Sequence, residues 1–149
     1  MSNDRDLKLK DFSKELAVYA LDAEHSLQKV EADPHGNSGE FGRFSQVMIA
    51  IRGTSVQLGL PAIAEMAGLG EEISIKLPTV QRGSQIKKGV SALWDALTTL
   101  KFMLENPSSE SSEEQGILKH RLQATLKSLG GARETVSDDE IAKLLRGEV

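Results

Sequence analysis

The sequence predicts an all-α protein, and two observations lead to that expectation. Apolar residues recur every three or four positions through most of the chain, which is the spacing of one helix face, and no segment shows the alternation of a half-buried strand. Hydrophobic residues make up 39% of the 149 residues and aromatic residues only 4%. A core built mainly from Leu, Ile, Val, Ala and Met suits packed helices better than a sheet.

The first two predicted helices are separated by a cluster of helix-breaking residues. The first helix should be about 25 residues long, with an inward stripe of Phe12, Leu16, Tyr19, Ala23, Leu27 and Val30. Residues 33–39 contain Pro, Asn and two Gly, so they should end it. The second helix should begin near Glu40 and end around Gly59, with an inward stripe of Phe44, Val47 or Met48, Ile51, Ser55 and Leu58.

Two more helices are predicted before residue 106. Pro61 can open the third, because proline is accepted in the first turn of a helix, and its stripe is Ile63, Met66, Gly70 and Ile73. Residues 78–83 should form a loop, after which Ser84 can cap the fourth helix. The inward stripe of that helix is Ile86, Val90, Leu93, Trp94, Leu97, Leu100 and Leu104.

The composition changes after the fourth helix. Residues 105–114 are rich in Ser, Glu, Asn and Pro and should form a linker. Ser112 and Gln115 have the spacing of a capping box for a fifth helix, which Gly130 and Gly131 should end, and a last short helix should follow Ser137. The predicted architecture is an antiparallel four-helix bundle over residues 8–105, with an additional linker and C-terminal helical tail over residues 106–149.

Composition also limits the classes of function. The formal net charge is −4, and a protein that binds nucleic acid usually carries a basic patch instead. The chain has no cysteine, and no histidines have the spacing of metal ligands, so we expect no metal site and no cofactor. The polar start leads into no apolar run, and no stretch approaches the roughly 20 apolar residues that span a bilayer. We therefore expect a cytoplasmic protein that does not bind a membrane.

The most informative segment is residues 49–60. Arg52 is followed by Gly53, then by five residues, and then by Gly59. This frame resembles the signature of histidine-phosphotransfer (HPt) domains, His-x-x-(Lys or Arg)-Gly-x5-Gly, and most resembles the phosphotransfer domain of chemotaxis histidine kinases. Residues Ile63, Met66, Ala67 and Glu71 also fall where that family places its third helix and an acidic residue. The resemblance covers residues 8–105 and implies a four-helix bundle.

The chain departs from the family at the phosphoacceptor position, which Ile49 occupies. Phosphotransfer needs an imidazole nitrogen as nucleophile, and isoleucine has none. The resemblance therefore implies a signalling protein that binds a response-regulator receiver domain or a histidine kinase domain without phosphoryl transfer, so it is not an enzyme. The predicted binding residues are Ser45, Ile49, Arg52, Gly53, Val56 and Gly59; the first five share one helix face, which Ser45 and Arg52 suggest is exposed.

Several alternatives remain open at the level of sequence. Gly53 and Gly59 could permit close helix packing or end the helix, and the segment after Ser112 could fold back over Ile49 and Val56. The chain could be an active phosphotransferase that uses another histidine, although His25, His35 and His120 are each expected to be solvated. It could also be an unrelated helical adaptor or dimerisation module.

A second, shorter resemblance lies near the C-terminus. Residues 136–145 resemble the short motif near the amino terminus of flagellar motor switch proteins, which binds a chemotaxis response regulator as an amphipathic helix. Ile141, Leu144 and Leu145 would be its anchors, at the spacing of a helix that binds in a groove. The alternative is a capped terminal helix that packs on the bundle, with the acidic residues 138–140 compensating the helix dipole.

Overall fold

The all-α prediction is confirmed. The computed structural model describes the backbone of residues 2–105 and 113–146, and the side chains of residues 4, 6–105 and 113–129. The helices are α1 (Ser2–Ala32), α2 (Gly39–Gln57), α3 (Pro61–Lys76), α4 (Gly83–Glu105) and α5 (Glu113–Arg146), with a short 3₁₀ turn at Leu77–Thr79. Within the described backbone, no helix is both long and apolar enough to cross a membrane.

The first four helices form a closed ring of contacts around one core. α1 packs on α2 and α4, and α3 packs on the same two helices. The predicted inward stripes supply this core, and both Val47 and Met48 are buried. Three stripe residues, Tyr19, Leu58 and Trp94, are only partly buried at its edge. The largest fully buried side chains in these helices include Leu27, Phe44, Met48, Ile51, Ile73, Leu93, Leu97 and Leu100.

The first half of α5 completes the core on one side of the ring. α5 packs on α3 and α4, and Leu122 and Leu129 are buried there. Lys119 forms a salt bridge with Glu65 of α3. Because α5 packs on α3 and α4, the described part of this segment leaves the outer face of α2 exposed.

The end of α2 shows why a glycine is needed at position 59. Gly59 has φ of +70°, a left-handed conformation that residues with a Cβ adopt at a cost. Its N–H donates to Val56 O at 3.2 Å, and Leu60 N–H donates to Ser55 O at 2.8 Å. These two bonds form a Schellman motif. Gly59 therefore ends the helix. This was one of the two structural roles considered for it in the sequence, the other being close helix packing.

Replacing Gly59 with alanine should destabilise the protein. The left-handed conformation costs an L-residue about 1–2 kcal/mol, so the free energy of unfolding should fall by about that amount in urea titrations followed by circular dichroism. Gly59→Asn should lose less, because asparagine tolerates this conformation better. Equal losses for the two variants would contradict the role assigned to the backbone.

Three predicted helix boundaries differ from the structure. α4 begins at Gly83, so Ser84 lies within its first turn and does not cap it. α5 continues through Gly130 and Gly131 as one helix, so there is no separate short helix after Ser137. Each glycine in a helix costs about 1 kcal/mol relative to alanine, but this penalty alone does not end a helix.

α1 is longer than the predicted length of about 25 residues. It begins at Ser2 and has 31 residues. Ser112 lies outside the described residues.

Candidate functional site

The outer face of α2 carries two exposed apolar side chains. Ile49 is 47% exposed and Val56 is 66% exposed. They are seven residues apart, which is about two helical turns, and Gly53 lies between them on the same face. Ile49 is therefore accessible from solvent at the position where the HPt frame has its nucleophile, and the alternative in which the C-terminal segment buries it does not hold for the described residues.

Ser45 does not belong to this exposed face. It is 8% exposed, and its hydroxyl donates to the backbone oxygen of Gly42 at 2.9 Å. The expectation that Ser45 is exposed was wrong because α2 packs on both α1 and α3, which makes its buried face wider than one stripe. That face comprises Phe41, Phe44, Ser45, Val47, Met48, Ile51 and Ser55.

Gly53 has open space where a side chain would be. A Cβ added at Gly53 would meet no described atom within 4 Å, whereas one at Gly70 of α3 would lie 3.0 Å from Met48 Sδ. Gly70 is thus the glycine that lets α2 and α3 approach closely. Gly53 serves no such packing within the described chain, although an internal glycine weakens a helix.

Replacing Gly53 with alanine should stabilise the isolated protein. The substitution removes the helix penalty of glycine, about 1 kcal/mol, and meets no neighbour. Gly70→Ala should instead reduce stability, because its methyl group would press on Met48. Urea unfolding of both variants measures these opposite shifts. A loss of stability in Gly53→Ala would show that this glycine is required for internal packing.

Arg52 is the charged residue of the surface, and it is paired within the chain. Its Nη2 lies 2.9 Å from Oε1 of Glu71 on α3, a buried carboxylate oxygen with no hydrogen bond to any described residue. The contact is therefore an ion pair without hydrogen-bond geometry. A Cβ at Gly68 would lie 3.7 Å from Arg52 Cδ, so the stem of Arg52 runs across α3 at Gly68 to reach Glu71.

The structure brings together only part of the predicted site. Ile49, Arg52, Gly53 and Val56 share the exposed face of α2, and these four residues are called the α2 surface below. Ser45 is buried and Gly59 ends the helix. Ile141, Leu144 and Leu145 lie on α5, and their side chains are outside the described part of the chain. The ion pair of Arg52 was not predicted, although Glu71, an acidic residue next to Gly70 of the predicted inward stripe, was a signal for it.

The histidines lie elsewhere. His25 is exposed on α1, beside a polar cleft that Lys29, Glu40 and Arg43 also line. The Ser26 hydroxyl donates to Glu40 Oε2 at 2.9 Å; this hydrogen bond, together with the nearby charges of Lys29 and Arg43, lowers the pKa of Glu40. His35 and His120 are exposed as well. Among the described residues, no group of three or more His, Asp or Glu side chains could hold a metal ion.

The residues of the α2 surface can form packing contacts with another molecule. Ile49 and Val56 are apolar, Gly53 offers bare backbone, and the guanidinium of Arg52 is paired with Glu71. None of these groups is a nucleophile or a general acid or base near neutral pH.

In comparisons with known proteins, no family model, no curated protein and no solved structure matches this chain.

Proposed function

We propose that this protein is a non-catalytic HPt-like signalling protein of a cytoplasmic two-component or chemotaxis system. It binds a response-regulator receiver domain or a histidine kinase domain through the α2 surface and transfers no phosphoryl group. Its first four helices form an antiparallel four-helix bundle, which the closed ring of contacts between α1, α2, α3 and α4 supports. It needs no cofactor and binds neither nucleic acid nor a membrane.

The proposal rests on one observation: Ile49 is exposed, and the residues that follow it keep the spacing of the HPt signature. Arg52 and Gly53 keep the spacing of the HPt signature, and the residue at the acceptor position faces solvent as an acceptor would. Two exposed apolar residues on one helix face, with an open glycine between them, favour a contact with another protein, because adjoining apolar residues on a surface mark interaction sites. The proposed mechanism is competition or scaffolding, because a receiver held on this surface is kept from other partners.

Replacing Ile49 with aspartate should disrupt this contact. Truncating or charging a central interface residue costs about 2–4 kcal/mol, so the dissociation constant should rise by about 30-fold or more. Binding would be measured by pull-down and calorimetry against purified receiver and kinase domains encoded in the same genome. Ile117→Asp is the matched control, since Ile117 is 55% exposed on α5.

Three results distinguish this proposal from its competitors. Loss of binding in Ile49→Asp and in Gly53→Arg, but not in Ile117→Asp, would support the α2 surface. Unchanged binding of every partner by both α2 variants would show that the surface is wrong. An acid-labile phosphoryl label on the wild-type protein that disappears in His25→Gln would instead show an active phosphotransferase.

A further inference from the structure

α5 has an exposed stripe on the side that faces away from α3 and α4. Its buried residues Leu122, Thr125 and Leu129 lie on the side that packs on those two helices. The exposed residues on the opposite side recur every three or four positions, and they are Ile117, His120, Ala124 and Lys127. Positions at this spacing form the seam along which two helices pack in a coiled coil.

The stripe continues into the second half of α5. Because α5 is one helix from Glu113 to Arg146, steps of four and three residues beyond Lys127 stay on the same face. The positions reached are Gly131, Glu134, Asp138, Ile141 and Leu145. Together with the four exposed residues they are called the α5 stripe below. It runs from an apolar residue through a cation to a central glycine, and then through two anions to two apolar residues.

α5 also extends past the helix on which it packs. Arg121 Nη2 lies 3.8 Å from Asp95 Oδ2, and Thr125 lines the same cleft as Lys88, so α5 runs antiparallel to α4. α4 begins twelve residues before Asp95, whereas α5 continues for 25 residues beyond Arg121. At 1.5 Å per residue, the end of α5 lies about 20 Å beyond the start of α4. The helix is therefore long enough to lie along a second molecule.

The α5 stripe is complementary to itself in one arrangement. When two copies of α5 pack antiparallel with Gly131 at their two-fold axis, Lys127 lies opposite Glu134 of the other copy, and Ile117 lies opposite Leu145. The remaining positions place His120 opposite Ile141 and Ala124 opposite Asp138. Two glycines at the centre let the helix axes approach closely, since the interaxial distance depends on the residues at the contact.

The charges of the α5 stripe also select the direction of packing. In a parallel pair, Lys127 would lie opposite its own copy, and so would Glu134 and Asp138, which places like charges together. The antiparallel pair instead contains two Lys–Glu contacts, one on each side of the axis. Arrangements that repel exclude the wrong partner as effectively as attraction favours the right one. The pattern of charge therefore identifies an antiparallel second copy as the molecule that covers the stripe.

We propose that the α5 stripe is a self-association surface on which a second copy of this chain binds antiparallel, with Gly131 of both copies at the two-fold axis. Because both copies use the same stripe, the contact is closed and forms a dimer without growing further. The apolar residues at the two ends contribute burial, and the pairs of Lys127 with Glu134 fix the register. This inference is independent of the proposed function, which uses α2.

Charge reversal tests the register. Sedimentation equilibrium between about 5 and 500 µM should show a dimer of the wild type with a micromolar dissociation constant. Lys127→Glu and Glu134→Lys should each raise that constant at least tenfold, because like charges then lie opposite each other. An equimolar mixture of the two variants should form a heterodimer within about threefold of the wild-type affinity, because every anionic position in it faces a cationic one.

Lys87→Glu is the matched control for charge, since Lys87 is exposed on α4 and is not part of the α5 stripe. It should leave the dimer unchanged. A wild-type protein that stays monomeric over the whole range would overturn the inference. So would a dimer that Lys127→Glu does not weaken, or a mixture that associates no better than either variant alone.

Disulfide formation tests the direction of packing. The chain has no cysteine, so a thiol introduced at one position can form a disulfide only with its own copy. Gly131→Cys places two thiols at the axis, within disulfide range, and oxidation with diamide should convert most of the protein to a covalent dimer. Ile117→Cys should stay monomeric in denaturing gels, because the two copies of residue 117 lie about 40 Å apart in the antiparallel pair. Efficient cross-linking of both variants, or of Ile117→Cys alone, would overturn the antiparallel arrangement.

Receiver binding separates this inference from the proposed function. α5 packs on α3 and α4, so the α2 surface stays free in the dimer and each chain should bind one receiver domain. Ile117→Asp should raise the dissociation constant of the dimer at least fivefold while its affinity for the receiver domain is kept. Ile49→Asp should lose the receiver domain and remain dimeric. Loss of the dimer in Ile49→Asp, with the dimer intact in Ile117→Asp, would show that the copies meet through α2 and would overturn the inference.

Discussion

Replacing Ile49 with histidine is expected to create a phosphoryl acceptor, whereas the wild-type protein is expected to take no label. The side chain at position 49 is 47% exposed, so an imidazole there would be accessible to a phosphorylated receiver. One of its nitrogens would attack phosphorus, forming an N–P bond as the P–O bond to the receiver aspartate breaks. Incubation with a labelled phospho-receiver and detection of acid-labile label on the chain would measure the gain.

Two controls make the result specific to the imidazole. Ile49→Gln is polar but has no nucleophilic nitrogen, so it should stay unlabelled like the wild type. Adding His25→Gln to Ile49→His should leave the label in place, because His25 lies on α1 and is not part of the α2 surface. Label on the wild-type chain would contradict the prediction and with it the non-catalytic function.

Phe44→Ala should cause the largest loss of stability among the substitutions considered. Phe44 is fully buried, and its ring lies 3.7 Å from where a Cβ at Gly70 would be, so it fills the space between α2 and α3. Truncating a buried phenylalanine costs about 3–5 kcal/mol through lost burial and the cavity left behind. This is a large part of the 5–15 kcal/mol or so that holds a typical domain together.

Phe102→Ala provides the matched control for that experiment. Phe102 is 58% exposed on α4, and surface substitutions usually change stability by no more than about 0.5 kcal/mol. Urea unfolding monitored at 222 nm would compare the two variants. Similar losses for both would mean that Phe44 does not fill the interface between α2 and α3.

The helices could be predicted from the sequence because periodicity is a local property. The stripes through Leu27, Ile51, Ile73 and Leu93 identified residues that are fully buried, and Pro61 marked the start of α3. The ends of the helices were harder to predict at glycines, because a glycine can either end a helix or lie within one. Gly59 ends α2 in a left-handed conformation, whereas Gly130 lies within α5, and the sequence around a glycine does not by itself fix its φ.

The sequence by itself determined that the chain is helical and that residue 49 is an isoleucine beside Arg52 and Gly53. Tertiary structure decided which of these residues face solvent. It buried Ser45, because two neighbouring helices flank α2, and it paired Arg52 with Glu71 across α2 and α3. It also left Ile49 exposed beside an open Gly53. These properties depend on which helices pack together, and periodicity along one helix does not contain that information.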